Sequence, residues 1–276
     1  IIDARTLVVA ISQSGETADT LMAIRHAREQ QAHVIAICNT NGSTIPRESD
    51  GVIYTHAGPE IGVASTKGFL TQVVACYLLG LYLAQVRGAK FGDEIAAVME
   101  ELNAVPDQIA GQLADMDAVI KLAADFANEP SVLFLGRHVG YPVALEGALK
   151  LKELAYIHAE GFAAGELKHG PIALVEEGLP VFVIVPTPRR PVLHDKVISN
   201  IQEIRARGAR TIVIAEEGDA DVEPFADHII RVPATPTILW PLLTVVPLQV
   251  FAAALAGAKG LDIDQPRNLA KSVTVE

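Results

Sequence analysis

The sequence predicts a parallel α/β protein in which one supersecondary plan is used twice. Three observations carry this reading. Short apolar runs of strand length alternate with helical apolar stripes, the order of elements in the first half recurs in the second, and a long uncharged run closes each copy. In the first copy the strands are Leu7–Ile11, Val34–Cys38 and Gly51–Tyr54. The helix between the first two carries Leu21, Ile24 and Ala27 at helical spacing, and an apolar helix from about Thr66 to Gln85 follows the third. In the second copy Pro180–Val185 is a strand, and Val197, Ile198, Ile201 and Ile204 form the stripe of the next helix. Strands Thr211–Ala215 and His228–Val232 follow, then the apolar helix Leu242–Ala258.

The copies differ at one end. The second has an additional opening unit: strand Ser131–Leu135, a turn with Gly136 and Gly140, then helix Pro142–Ile157. The first has no counterpart, so the expectation is that residues on its N-terminal side are missing. A sheet lacking its first strand exposes an edge and an apolar face. The region around Glu100–Ala124 reads as a helical connector. The expected organisation is therefore residues 1–122 as a first, incomplete domain, 123–262 as a second, and 263–276 as an irregular tail.

Bulk properties limit the function classes. With 276 residues, half of them apolar and 20% charged, the chain has the composition of folded soluble domains. A net charge of −11 argues against nucleic acid or an anionic membrane surface as partner, so an anionic ligand would need a local pocket. Cys38 and Cys76 lie in apolar runs without metal-ligand spacing, which suits a reduced, cytoplasmic protein without a zinc site. Two uncharged stretches, Gly68–Val86 and Val232–Ala258, are long enough to span a bilayer. The second holds Pro233, Pro236, Pro241 and Pro247, and the first has no basic asymmetry in its flanks, so both are expected to be core. The opening Ile-Ile-Asp-Ala-Arg does not read as a signal peptide.

Three places carry chemistry. Ser12-Gln13-Ser14-Gly15-Glu16-Thr17 follows a buried strand and opens a helix, so backbone N–H groups and three hydroxyls converge at a positive helix end. Plain N-capping by Ser14 or Thr17 is the alternative, but three hydroxyls around a glycine favour a phosphate loop. The equivalent place in the second copy, Thr187-Pro188-Arg189-Arg190-Pro191, is chemically different, so one copy is expected to bind and the other to serve as scaffold. Glu146, Lys150 and Glu153 share one helical face, which alone would describe a solvated face with an i,i+4 ion pair. The stretch Ile157–Pro171 adds two His, two Glu and a Lys among small residues, a mixture suited to acid/base chemistry. Within it His158 is assigned to the core and His169 to function. The tail from Asp264 to Glu276, with Lys271, would otherwise read as a disordered terminus.

These segments resemble, in order, those of the glucosamine-6-phosphate synthase family. They are Ser-Gln-Ser-Gly-Glu-Thr-Ala-Asp-Thr at 12–20, Gly-Pro-Glu-Ile-Gly-Val-Ala-Ser-Thr-Lys at 58–67, and Ala-Leu-Glu-Gly-Ala-Leu-Lys-Leu-Lys-Glu at 144–153. Gly-Glu-Leu-Lys-His-Gly-Pro at 165–171 and the tail complete the series. The resemblance implies two sugar isomerase (SIS) domains, each a flavodoxin-like three-layer sheet with flanking helices, the first incomplete. It also implies a preceding glutaminase domain, absent here together with its nucleophilic cysteine. By the same resemblance Ser12, Gln13, Ser14 and Thr17 hold the phosphate of fructose 6-phosphate, and Val63 and Ser65 lie near its hydroxyls. His169 opens the sugar ring, in the family from a neighbouring subunit of a homodimer. Lys271 forms an imine with the ketose, and ammonia then replaces it. Glu153 moves a proton between C1 and C2, with Lys150 and Glu146 in support. The implied product is glucosamine 6-phosphate, with no metal or redox cofactor. A deaminase or deglycase of amino-sugar phosphates and a non-catalytic sugar-phosphate sensor are the rival readings.

Overall fold

The computed structural model describes residues 1–271, which form two compact units. One is Ile1–Ala96 together with the tail from Asp264; the other is Ala97–Ile263.

The first unit is a three-stranded parallel sheet of β1 (Leu7–Ser12), β2 (His33–Cys38) and β3 (Gly51–Tyr54), with β2 in the centre. β2 is apolar almost throughout because it is covered on both faces, and Val34, Ala36, Ile37 and Cys38 are fully buried. Helix α1 (Ala18–Glu29) makes the crossover and turns Ile24 and Ala27 onto Ala10, Val34 and Ala36. The short helix α2 (Thr44–Arg47) adds Ile45 to the same cluster. β1 is an edge strand among the described residues, and its Leu7, Val9 and Ile11 are about 40% exposed.

Helix α3 (Lys67–Val86) closes the first unit, and here the structure departs from the core reading of Gly68–Val86. It buries Gly68, Ala75, Leu79 and Leu81 but leaves Leu78, Tyr82 and Val86 exposed. The reason lies in what each unit has to cover such a helix. The matching apolar helix of the second unit is packed by two neighbouring helices, and the first unit has no counterparts to these among the described residues. Lys67–Val86 and Trp240–Ala258 are the two described helical runs long and apolar enough to cross a membrane, and the second of these is mostly buried.

The second unit is a five-stranded parallel sheet. Its strands are β4 (Ser131–Gly136), β5 (His158–Ala163), β6 (Pro180–Ile184), β7 (Arg210–Glu216) and β8 (His228–Val232), in the order β5-β4-β6-β7-β8. Helix α7 (Pro191–Arg205) lays Val197, Ile201 and Ile204 on one face, against Val181, Val183 and Val213. Helices α5 (Asp117–Asp125), α6 (Gly140–Lys150), α8 (Trp240–Thr244) and α9 (Val246–Ala258) cover the other face. There Phe134 stacks on Phe182 with centroids 4.9 Å apart, and Phe251 meets Phe126 edge-on at 5.2 Å. The connector expected at Glu100–Ala124 is α4 (Gly92–Ala114) followed by α5.

Three local differences have physical causes. β5 was not read as a strand because His-Ala-Glu-Gly-Phe-Ala is polar and poor in β-branched residues; it is fixed by parallel pairing with β4, from Ser131↔His158 to Gly136↔Ala163. His158, assigned to the core, is instead exposed as the first residue of that edge strand. The helix read as Leu242–Ala258 is two helices, with Pro247 in the first turn of α9, where its missing N–H costs nothing.

Candidate active site

The chemistry of the first unit sits at the carboxyl end of β1, where open α/β sheets bind ligands. Ser12 ends the strand, is buried, and its Oγ accepts the Gly15 N–H at 2.9 Å. Ser14 Oγ accepts the Glu16 N–H at 3.2 Å. Gly15 is required twice over: its φ is +70°, and a Cβ there would lie 2.0 Å from Ser43 Oγ. Thr17 precedes α1 with extended backbone, and its hydroxyl makes no capping hydrogen bond. The capping alternative for Thr17 therefore fails, and Ser14 spends its hydroxyl within the loop. Glu16 is turned away to α2, where its carboxylate accepts the Thr44 N–H at 2.8 Å. The Thr44 hydroxyl and then its N–H hold the Glu16 carboxyl below the usual range.

This loop forms one wall of an open cleft of about 590 Å³, within the size range of small-molecule sites. Gln13 and Ser14 line it with Asn39, Glu60 and Lys271. The tail thus reaches this cleft along the loop after β3, where Lys271 donates to the Gly62 carbonyl at 2.6 Å and to Glu60 Oε2 at 3.4 Å. The tail is tied down again where the Val63 N–H donates to the Asp264 carbonyl at 3.0 Å. Residues Ser272–Glu276 of the tail motif lie outside the described residues.

Glu60 is the residue that the sequence reading missed. Its side chain is 4% exposed. Oε1 accepts the N–H groups of Thr66 at 2.7 Å and Gly68 at 3.2 Å, at the start of α3. Oε2 accepts the Ser65 hydroxyl at 3.3 Å and faces Lys271. Burial raises the Glu60 carboxyl, but the two N–H donors and the Lys271 charge outweigh it and hold the group below its usual value. Gly68 makes the room, since a Cβ there would stand 2.4 Å from Glu60 Oε2. The available signal was a lone carboxylate within a small, apolar segment just ahead of a helix, where a helix-capping acid belongs.

In the second unit Glu146, Lys150 and Glu153 do not form a solvated face. Lys150 is 2% exposed, with its ammonium 3.4 Å from Glu146 Oε1 and in contact with Glu153 Oε2. Burial pushes the Glu146 carboxyl up, and the Lys150 charge works against that rise. α6 ends at Lys150 and passes into a π-helical turn, Leu151–Ala155, stopped by Tyr156 in a left-handed conformation. The helix read through to Ile157 therefore changes geometry at the turn that carries Glu153. His169 is exposed at the end of a 3₁₀ turn, Ala164–His169, just before Gly170.

The loop after β6, the counterpart of the hydroxyl loop, is occupied by its own side chains. Arg189 makes a two-point ion pair with the buried Glu216, at 2.6 and 2.9 Å, and donates to the Thr235 carbonyl at 2.9 Å. His194, Asp219 and Asp221 have potential metal-ligating atoms within 4.8 Å of one another. His194 and Asp219 already bond each other at 2.8 Å, and Asp219 also accepts the Asp221 N–H, so the cluster is explained as a clamp on its loop.

Comparison with known proteins is consistent with this arrangement. The family model described as SIS domain matches residues 1–82 and 125–258. The chain is 73% identical, over its whole length, to the glutamine–fructose-6-phosphate aminotransferase [isomerizing] of Streptomyces coelicolor, and 68% identical to that of Mycobacterium tuberculosis. It spans 45% and 44% of those two relatives. Among solved structures, the C-terminal domain of glucosamine-fructose-6-phosphate aminotransferase from Francisella tularensis superimposes with a TM-score of 0.89 at 39% identity, covering 96% of this chain and 75% of that one. Both units thus fall within the family match and repeat one fold, and the chain belongs to the SIS domain family, grouped by these identities with the C-terminal domain of glutamine–fructose-6-phosphate aminotransferases.

Proposed function

We propose that the chain is the isomerase portion of a longer, cytoplasmic aminotransferase that makes glucosamine 6-phosphate from fructose 6-phosphate and glutamine-derived ammonia. The observation that carries this is an amine, Lys271, lining the same cleft as the hydroxyl-rich strand-to-helix loop. Ser12, Gln13, Ser14 and Thr17 would hold the phosphate, with N–H groups at the start of α1 supplying the charge complement that an acidic chain lacks elsewhere. Val63 and Ser65 would meet the sugar hydroxyls from the Glu60-bound loop. His169, from a second copy in a homodimer, would open the ring.

Lys271, as a neutral amine, would attack the C2 carbonyl, and water would leave as the imine forms. Ammonia would then add to C2 and release the lysine. Glu153 would carry a proton from C1 to C2, turning the ketose imine into the aldose amine. Lys150 would hold that carboxylate in one rotamer, and Glu146, from the opposite side, would hold Lys150. Ammonia would come from a glutaminase domain elsewhere in the longer protein.

The experiment is to supply fructose 6-phosphate with ammonium and follow glucosamine 6-phosphate. Formation of the amino sugar, with slower isomerisation to glucose 6-phosphate when ammonium is omitted, is the expected result. Binding without turnover would identify a sensor. Release of ammonia from glucosamine 6-phosphate, with no forward reaction at saturating ammonium, would identify a deaminase.

A further inference from the structure

We propose that Glu60 is a positioning residue that fixes the Lys271 amine and the 62–65 loop to each other as one piece. This rests on the reading of Lys271 as the imine-forming lysine. Three separate structural tasks converge on this one carboxylate. It caps α3 through the N–H groups of Thr66 and Gly68, it holds the hydroxyl of Ser65, and it faces the ammonium of Lys271. Because the carboxylate is nearly inaccessible and satisfied at both oxygens, its place is set by α3 and not by solvent. Lys271 also donates to the carbonyl of Gly62 in the same loop.

The consequence is a tail that is not an independent arm. The Val63–Asp264 backbone bond and the Lys271–Glu60–Ser65 chain join tail and loop at two points. A sugar contacting Ser65 would therefore meet an amine at a set place, which is how a nucleophile is pre-oriented without cost at the moment of reaction. The 20-residue helix α3 is the rigid element behind both. The close approach of Gly68 to the carboxylate keeps the joint compact.

The test uses Glu60→Gln in the full-length protein. The amide oxygen still accepts from Thr66 and Gly68, so the cap survives, but the charge facing Lys271 is lost. Borohydride trapping of fructose 6-phosphate on Lys271, read by mass analysis of the tail peptide, should slow by about tenfold or more, the lower end expected for a charge-assisted hydrogen bond. Affinity for fructose 6-phosphate should change by less than about twofold, because the phosphate loop is untouched. Backbone hydrogen exchange at Val63 should speed up, and Lys271→Met should speed it in the wild type but add little on top of Glu60→Gln. Trapping at the wild-type rate, equal losses of trapping and affinity, or additive exchange effects would overturn the proposal. Failure of the wild type to be trapped at Lys271 would instead overturn the reading beneath it, while the exchange cycle would still decide the coupling.

Discussion

Replacing Lys150 by Met removes the positive centre of the buried triad while keeping a long, unbranched side chain in its place. Lys150 is 2% exposed, and its partners Glu146 and Glu153 are 10% and 22% exposed, so water cannot take over the lost interaction. Breaking a buried pair by deleting one partner costs about 3–5 kcal/mol. At about 2–4 °C per kcal/mol for a unit of this size, the melting temperature should fall by roughly 6–20 °C at neutral pH. The sign of the pH dependence follows from Glu146, whose carboxyl is already raised by burial and is held back by Lys150. A carboxyl raised in the folded state contributes stability that is fully present below its unfolded pKa and is lost as pH rises through the folded one. Without the cation the rise is larger, so the gap between variant and wild type should be widest at neutral pH and should narrow as pH falls toward the ordinary glutamate range. Calorimetry over a pH series reads both quantities, and the double variant with Glu146→Gln should recover part of the loss. A loss under about 2 °C, or one of the same size at every pH, would refute the idea that the triad is an electrostatic unit.

Further expectations follow from the first unit. Ser14→Ala with Thr17→Ala should weaken fructose 6-phosphate by several-fold or more, since hydrogen bonds to charged groups contribute about 1.5–3 kcal/mol each, and should leave binding of unphosphorylated fructose nearly unchanged. Calorimetric titration of both ligands checks this, and equal losses would point to damage of the fold. Gly15→Ala should abolish phosphate binding and lower stability by over about 1 kcal/mol, because it combines a positive φ with a clash against Ser43. Ser43→Gly should remove the nearest clash but leave the Cys38 Sγ contact at 2.9 Å and the backbone strain, so rescue should be partial in a denaturant titration. Arg189→Ala should destabilise the second unit by leaving Glu216 buried without its partner, yet should not change fructose 6-phosphate affinity.

What was legible in the sequence depended on whether a residue's neighbours in the chain determine its surroundings. β2, β4, β6 and β7 are apolar runs because central parallel strands are covered on both faces, and the pattern survives without knowledge of the partners. β5 is held by the free edge of β4 and not by its own composition, so no local pattern could reveal it. The hydroxyl loop was visible because strand, glycine and helix follow one another without interruption. The Glu146–Lys150–Glu153 spacing was equally compatible with a wet helix face. α9 packs against α6 and the π-helical turn that carry these residues, long-range contacts with no local signature. Glu60 was passed over for the same reason: its partners are Lys271, far along the chain, and backbone groups that any sequence would provide. The apolar run of α3 was assigned to the core, yet only one flank finds cover, because period and hydropathy report what a helix can bury and not what is there to bury it.

The most direct test of the account is the covalent state of Lys271 during reaction. The longer protein is mixed with fructose 6-phosphate, quenched with borohydride, and digested, and every lysine peptide is weighed. Hydride reduces the C=N bond of an imine to a secondary amine, so the account predicts one sugar phosphate retained on Lys271, none on Lys67 or Lys150, and no adduct when substrate or borohydride is omitted. An active enzyme that carries no adduct on Lys271, or that retains full turnover as Lys271→Ala, would contradict it.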